Sequence, residues 1–315
     1  MQQDCNACFG GMYIMKKKLI ILISSLVAVA AIAVAVIILV INKKDGYRLL
    51  KIFEVDGKAM VERTSIGEIE PYKNMVLESG DRIGLDEGEL VIAADEDKYI
   101  YLEEGTEIVL NASGNKKDSK TNIELVKGSV TNDIQNPLSE DSSYEINTPN
   151  STMAVRGTVY RAYTYKVGDV LYTKVSVFHG KVVTKLVFKD GTESEEGVAI
   201  EKGKEVIIYE DPETTDYLTD PTDINYDEIP QYVYEILRDV AKGGRELSIS
   251  KEEIDERLAN GPYVVTFKYG ETVFGVQSVK KGACAEIPAL APSTSGSWNF
   301  DFTTPITKDT TIQWQ

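Results

Sequence analysis

Few residues in this chain have the chemistry for catalysis or metal binding. Its 315 residues include one histidine and three cysteines. His179 stands between Phe178 and Gly180, where imidazole tolerates the left-handed geometry of a hairpin tip, so a turn role outweighs general-base work. A serine triad would need that histidine, and no nucleophile-elbow sequence accompanies it. Cys5 and Cys8 form a C-x-x-C without a second pair to complete a zinc set. Cys284 is alone in the large segment, so no internal disulfide forms there. Asp95, Glu96 and Asp97 have the oxygen ligands for calcium but not the EF-hand spacing. Tyr99 and Tyr101, and Tyr160 and Tyr163, offer rings for stacking on sugars, although tyrosine is also a common strand former. There is no glycine-rich phosphate loop. The expectation is a non-enzymatic chain with no cofactor and no metal.

One charged residue stands out by its setting. In "NTPNSTMAVRGTVY", residues 147–160, Arg156 lies between an apolar step and a run of β-formers. Its five donors suit the carbonyls of the Thr148-Pro149 turn, and Gly157 lets the backbone pass close by. An arginine held partly buried must be paired, so the expected role is a structural clamp.

Positioning these residues falls to a β-rich region over 47–209. Its apolar alternation is broken at Asp56-Gly57, Lys127-Gly128, His179-Gly180, Asp190-Gly191 and Lys202-Gly203. X-Gly between β-branched runs is the short-hairpin signal, so these five are expected as turns of a sandwich, barrel or irregular roll. Near Asp211 the chain becomes acidic and proline-bearing. The spacing of Ile229, Tyr232, Val233, Ile236, Leu237 and Val240 then predicts an amphipathic helix, with Pro230 in its first turn and Gly243-Gly244 at its end. A second helix opens on the capping box Ser250-x-x-Glu253 and closes at Asn260-Gly261-Pro262. Strand patterning resumes at Tyr263 as a separate small β unit.

The strongest single signal lies upstream. Residues 19–41 contain no charge, and as a helix they would run about 34 Å, enough to cross a ~30 Å hydrocarbon core. An uncleaved signal anchor is expected there, with residues 1–18 as a short cytoplasmic tail. Lysines flank both ends, so the positive-inside count leaves orientation open. Five basic residues and one acidic residue precede Asp45, which leaves 29 against 49 beyond it, a net −20. Such a surface repels nucleic acid.

Four separated motifs, "LESGDRIGLDEGELVIA", "NTPNSTMAVRGTVY", "VSVFHGKVV" and "IEKGKEVIIY", resemble the FecR domain of bacterial envelope proteins. The resemblance implies an all-β extracytoplasmic domain over 45–211, with Thr148, Pro149, Arg156, Gly157, Thr158 and Gly180 as structural motif residues. Residues 262–315, through "VTF", "SVKKG", Trp298 and "FDFTTPITKDTTI", resemble the internalin-type B repeat of bacterial surface proteins. That resemblance implies a spacer or adhesion module, joined to the first by the acidic linker and two helices of 212–261. The architecture expected is therefore mainly β: a transmembrane helix, a FecR-like domain, a two-helix connector and a small β module. The function expected is a binding or scaffold role at the cell surface, with an envelope protein or glycan as partner. The second reading is a regulator that relays to a sigma factor through a membrane partner, since at most 18 residues precede the span.

Overall fold

The computed structural model describes residues 48–115, 118–209 and 217–315. The tail, the apolar span of 19–41, Cys5 and Cys8, and part of the acidic stretch lie outside the described residues. Arg48–Gln315 forms one compact unit, and it is mainly β, with eighteen strands and two α-helices among the described residues.

Most strands build two facing sheets. Three long strands, β1 (Leu50–Arg63), β3 (Asp81–Ala94) and β6 (Ser119–Ile134), serve both. The first sheet runs from the start of β1 through the end of β3, β4 (Lys98–Leu102) and the end of β6. It continues to β9 (Val159–Val167), β10 (Val170–His179) and β13 (Lys204–Tyr209). The second sheet runs from β2 (Gly67–Ile69) through the end of β1, the start of β3, β5 (Thr106–Gly114) and the start of β6. It continues to β7 (Ser143–Thr148), β8 (Ser151–Val155), β11 (Lys181–Leu186) and β12 (Val198–Glu201). Two short strands, β14 (Tyr217–Leu218) and β15 (Thr222–Asp223), pair with β13 at its edge.

Alternation then follows from the pleat: every second residue faces the other sheet. Ile52, Ile92, Ile100, Val130 and Val175 of the first sheet join Ile83, Ile108, Ile123, Ile146 and Val182 of the second in one core. Each such side chain, fully buried, contributes about 1.5–3 kcal/mol.

The glycine signals are of three kinds. Only Asp190-Gly191 sits in a hairpin turn, beside the bridge between Val187 and Glu193. His179-Gly180 and Lys202-Gly203 join strands that belong to opposite sheets. Gly57 and Gly128 lie inside β1 and β6, where the long strands pass from one sheet to the other. Gly57 faces Gly88 of β3 at positive φ on both sides, and a Cβ on either would fall 2.1 Å from the other strand's carbonyl oxygen. The expected hairpin turns at these two positions are thus strand bends, because the same positive φ that closes a turn also kinks a continuous strand.

Two helices cover part of the outer face of the first sheet. In α1 (Gln231–Lys242) Val233, Tyr234, Ile236, Leu237 and Val240 are buried. They pack with Val159 and Phe178 of the sheet and Ile254 of α2 (Lys251–Asn260). Tyr234 is buried because α2 covers that flank of α1, whereas Tyr232 is only half-buried. Ser250 accepts from the Glu253 backbone N–H at 3.1 Å, giving half of the expected capping box. The Glu253 carboxylate turns instead to Arg257.

The C-terminal unit is a three-stranded sheet. β16 (Tyr263–Tyr269) pairs antiparallel with β17 (Thr272–Val279) and parallel with β18 (Thr310–Gln313). Phe267 packs at its centre against Trp298, 5.1 Å between rings, and against Phe302.

Candidate binding cleft

On the outer face of the first sheet, alternation along β9 places Arg161, Tyr163 and Tyr165 in a row. Arg161 meets Glu103 in a two-point ion pair at 2.7 and 2.8 Å, and Ser129 donates to the same carboxylate at 2.7 Å. The guanidinium lies 4.8 Å from the Tyr163 ring centroid. From there Tyr163, Tyr165, Tyr172 and Tyr209 stack across three strands at 4.7, 5.4 and 5.4 Å. Burial pushes the Tyr163 and Tyr165 hydroxyls up to about 12. Next to the stack Lys174 is held by Glu205 at 3.0 Å and Glu228 at 2.9 Å.

Opposite this face stands one face of the C-terminal sheet, carrying Val264, Thr266, Lys268, Val273 and Val276. The two are joined at their edges. Thr272 of β17 pairs once with Lys166 of β9, and Lys127 reaches Glu271 at 3.4 Å. At the other end Asp309 accepts from the Gln231 backbone N–H and from that of Val264 at 2.7 Å. Pro230, the N-cap of α1, has no side-chain acceptor to offer, so Asp309 supplies the cap from outside the helix. Burial raises the Asp309 carboxyl to about 6, against the pull of its two N–H donors. Between these ties the faces splay and enclose a cleft of about 540 Å³.

Charges along the cleft are unevenly matched. Arg161, Lys174 and Lys127 each have a carboxylate at ion-pair distance. Lys268 has none among the described residues, and burial holds its ammonium below the usual lysine value. Glu89 at the rim is pushed above the usual carboxylate range, first by burial and then by neighbouring acids.

The residues singled out in the sequence lie elsewhere. Arg156 is exposed at the end of β8, and no hydrogen bond joins it to the Thr148-Pro149 turn. The clamp expected from this side chain is not formed, because β8 alternation turns Met153 and Val155 inward and leaves Arg156 outside. The turn is held from within: Thr173 donates to Asn150 at 2.7 Å, and Thr148 also bonds Asn150 at 3.0 Å. Pro149 caps the turn in solvent. Gly157, Thr158 and Gly180 do meet, and a Cβ on Gly180 would fall 2.8 Å from the Gly157 carbonyl oxygen and the Thr158 methyl. Trp298 belongs to the separate aromatic core of the C-terminal unit. His179 follows the turn reading in part, its Nδ1 lying 2.7 Å from the Glu246 carbonyl oxygen. Asp95 is engaged by Arg48 and Lys98, and no group of three metal-ligating side chains occurs among the described residues. Tyr160 and Tyr163 do not form one platform. A spacing of three puts them on opposite faces, Tyr160 fully buried in the core. Cys284 is exposed and free.

Sequence reasoning passed over Arg161, Glu103, Lys174, Lys268 and Asp309. The signal for the first was present: Arg161, Tyr163 and Tyr165 recur at period two within "YRAYTYK".

Comparison with known proteins agrees with part of this picture. Residues 78–183 match the family described as FecR protein, so the chain carries a FecR-like domain, and the two sheets extend well beyond the matched stretch. No curated protein matches. Among solved structures, two crystal structures of a candidate anti-sigma factor from Parabacteroides distasonis ATCC 8503, at 1.65 and 2.50 Å resolution, are similar. Each is 11% identical with a TM-score of 0.40; the alignment covers 74% of this chain and 98% or 97% of theirs. Those likenesses are too distant to carry a functional argument. Among the described residues no helix is long and apolar enough to cross a membrane.

Proposed function

We propose that this chain is a regulator in bacterial envelope signalling, anchored by its apolar segment and presenting the β region outside the cytoplasm. The observation that carries the reading is the FecR match over 78–183. The domain resembles that of FecR proteins of Gram-negative bacteria, which control a sigma factor across the membrane, and this resemblance supports the reading. A relay through a membrane partner therefore takes precedence over the scaffold role that the sequence put first. The proposal includes no catalysis: the chain binds a partner, and the C-terminal β unit serves as its second surface, in the manner of a B-repeat-like module.

Two measurements test it in the source bacterium. External protease on intact cells is expected to remove the segment beyond residue 45, and full protection until lysis would reverse the topology. Deleting the gene is expected to change transcription of a sigma-factor regulon several-fold. An unchanged transcriptome together with lost surface attachment would restore the scaffold reading.

A further inference from the structure

We propose that the cleft between the β9 face and the C-terminal sheet binds a short extended peptide through its free carboxylate, with Lys268 as the recognising cation. The inference deepens the regulator reading by naming the chemistry of its input, and it rests on that reading for its biological sense alone.

Four observations converge. The cleft is large enough, at about 540 Å³, to hold a few small residues, in the usual range of ligand sites. Lys268 is half-buried in its wall, and burial has lowered its pKa; among the described residues it has no carboxylate within ion-pair distance. Glu271 and Glu104 attract this half-buried ammonium only from beyond ion-pair distance, and a ligand carboxylate in direct contact supplies the pairing it lacks. From the opposite wall, Arg161 spends Nε and Nη2 on Glu103, and its Nη1 takes no part in that pair. Arg161 thus lines the wall opposite Lys268 with one donor group outside its own ion pair.

Charge selects a monoanion. The cleft also carries Glu89, Glu103, Glu104, Glu228, Glu271 and Asp309. Each would repel a doubly charged phosphate more strongly than a carboxylate. The walls beside Lys268 select for small apolar side chains, since Val264, Val273 and Val276 line them. The same acidic groups, Glu89 and Glu104 above all, remain free to receive donors from the peptide's other end. The free carboxylate has two sources: the C-terminal tail of a partner protein and a short peptide of the cell wall. Both present the same group to Lys268.

The test uses the full chain in detergent micelles and fluorescence polarisation of dye-labelled tetra-alanine, as the free acid and as its carboxamide. The free acid is expected to bind at least ten-fold more tightly than the amide. Lys268→Met should abolish that preference, and Lys268→Arg should keep most of it, with unchanged thermal melts certifying the fold of both. Added salt should weaken the acid and leave the amide unmoved. Competition by unlabelled protein C-terminal peptides or by wall peptides ending in D-alanine then separates the two sources. Equal affinity for acid and amide, absence of binding by either, or a preference that survives Lys268→Met would overturn the proposal. None of these outcomes touches the transcription experiment, so the regulator reading stands or falls separately.

Discussion

At the residue scale, Asp309 is the group whose environment says most. It caps α1 and accepts the Val264 N–H of β16 with a single carboxylate, yet burial raises it from 3.8 to about 6. Desolvation therefore outweighs the two hydrogen bonds in deciding its charge. The sign of the pH effect follows. A carboxyl whose folded pKa lies above its unfolded value binds more protons in the native state between the two values. Its contribution to stability is full below about pH 4 and is lost as the pH rises through about 6, on the order of 2–3 kcal/mol in all. Asp309→Asn keeps a carbonyl acceptor and removes the buried charge. Urea denaturation is expected to find the variant as stable as the parent or more so above pH 6, with a flatter profile between pH 4 and 6. An unchanged slope would mean that the carboxyl titrates as an ordinary exposed acid. Nothing in "TKDTT" announced this role, because a cap contributed by another element leaves no local spacing to read. Arg161 is legible in principle from its period-two spacing with Tyr163 and Tyr165, whereas the apolar flanks of Arg156 suggest a buried role that it does not have. Exposure separates the two: Arg161 is 5% accessible and doubly paired, while Arg156 is in solvent.

At the scale of elements, the sequence revealed the strands better than their connections. Alternation placed the β region correctly because one buried face imposes period two wherever two sheets meet. The X-Gly pairs were misread in a specific way: positive φ identifies where the chain turns sharply, and whether it reverses or only bends depends on a partner strand that local sequence does not show. Gly128 makes the difference measurable. It sits within β6 at φ +84, and a Cβ there would approach the Thr106 Cα to 2.5 Å. Gly128→Ala is expected to cost about 2–4 kcal/mol, since backbone on both sides must move. Gly84 in β3 has ordinary φ and open space around it, so Gly84→Ala should stay within about 1 kcal/mol of the parent. Equal effects at the two sites would show that β6 is not pinned at its crossing. Helix α1 was placed nearly to the residue by its apolar spacing. The exchange of Tyr232 for Tyr234 on the buried face reflects α2, whose packing against α1 no periodicity within α1 encodes.

At the scale of the whole described unit, three apolar clusters share the load unequally. The helices pack directly on Val159 and Phe178 of the first sheet, so sandwich and helices are expected to open together. The C-terminal sheet has its own core around Val265, Phe267 and Ile312. It meets the rest through few ties: the Asp309 bond to the Gln231 backbone N–H, Gln231 Nε2 to the Pro262 carbonyl at 3.0 Å, Lys281 to the Ala259 carbonyl at 2.8 Å, one strand pairing, and the rim pair Lys127–Glu271. Exposed ion pairs such as the last-named contribute about 0–1 kcal/mol each, so most of the docking strength rests on Asp309 and the cleft rim. Native-state hydrogen exchange on the full chain is therefore expected to resolve two tiers. Amides of β16, β17 and β18 should share an opening free energy below that of the strands around Ile100, Val130 and Val175. Asp309→Ala, which leaves two backbone donors without an acceptor, should lower the first tier by about 1–3 kcal/mol and leave the second in place. A single common opening energy, or an equal fall in both tiers, would make the unit one cooperative body. The cleft would then be a fixed groove. With two tiers, the wall that carries Lys268 moves independently of the wall that carries Arg161, and a ligand bridging the two walls raises the lower tier by its own binding free energy.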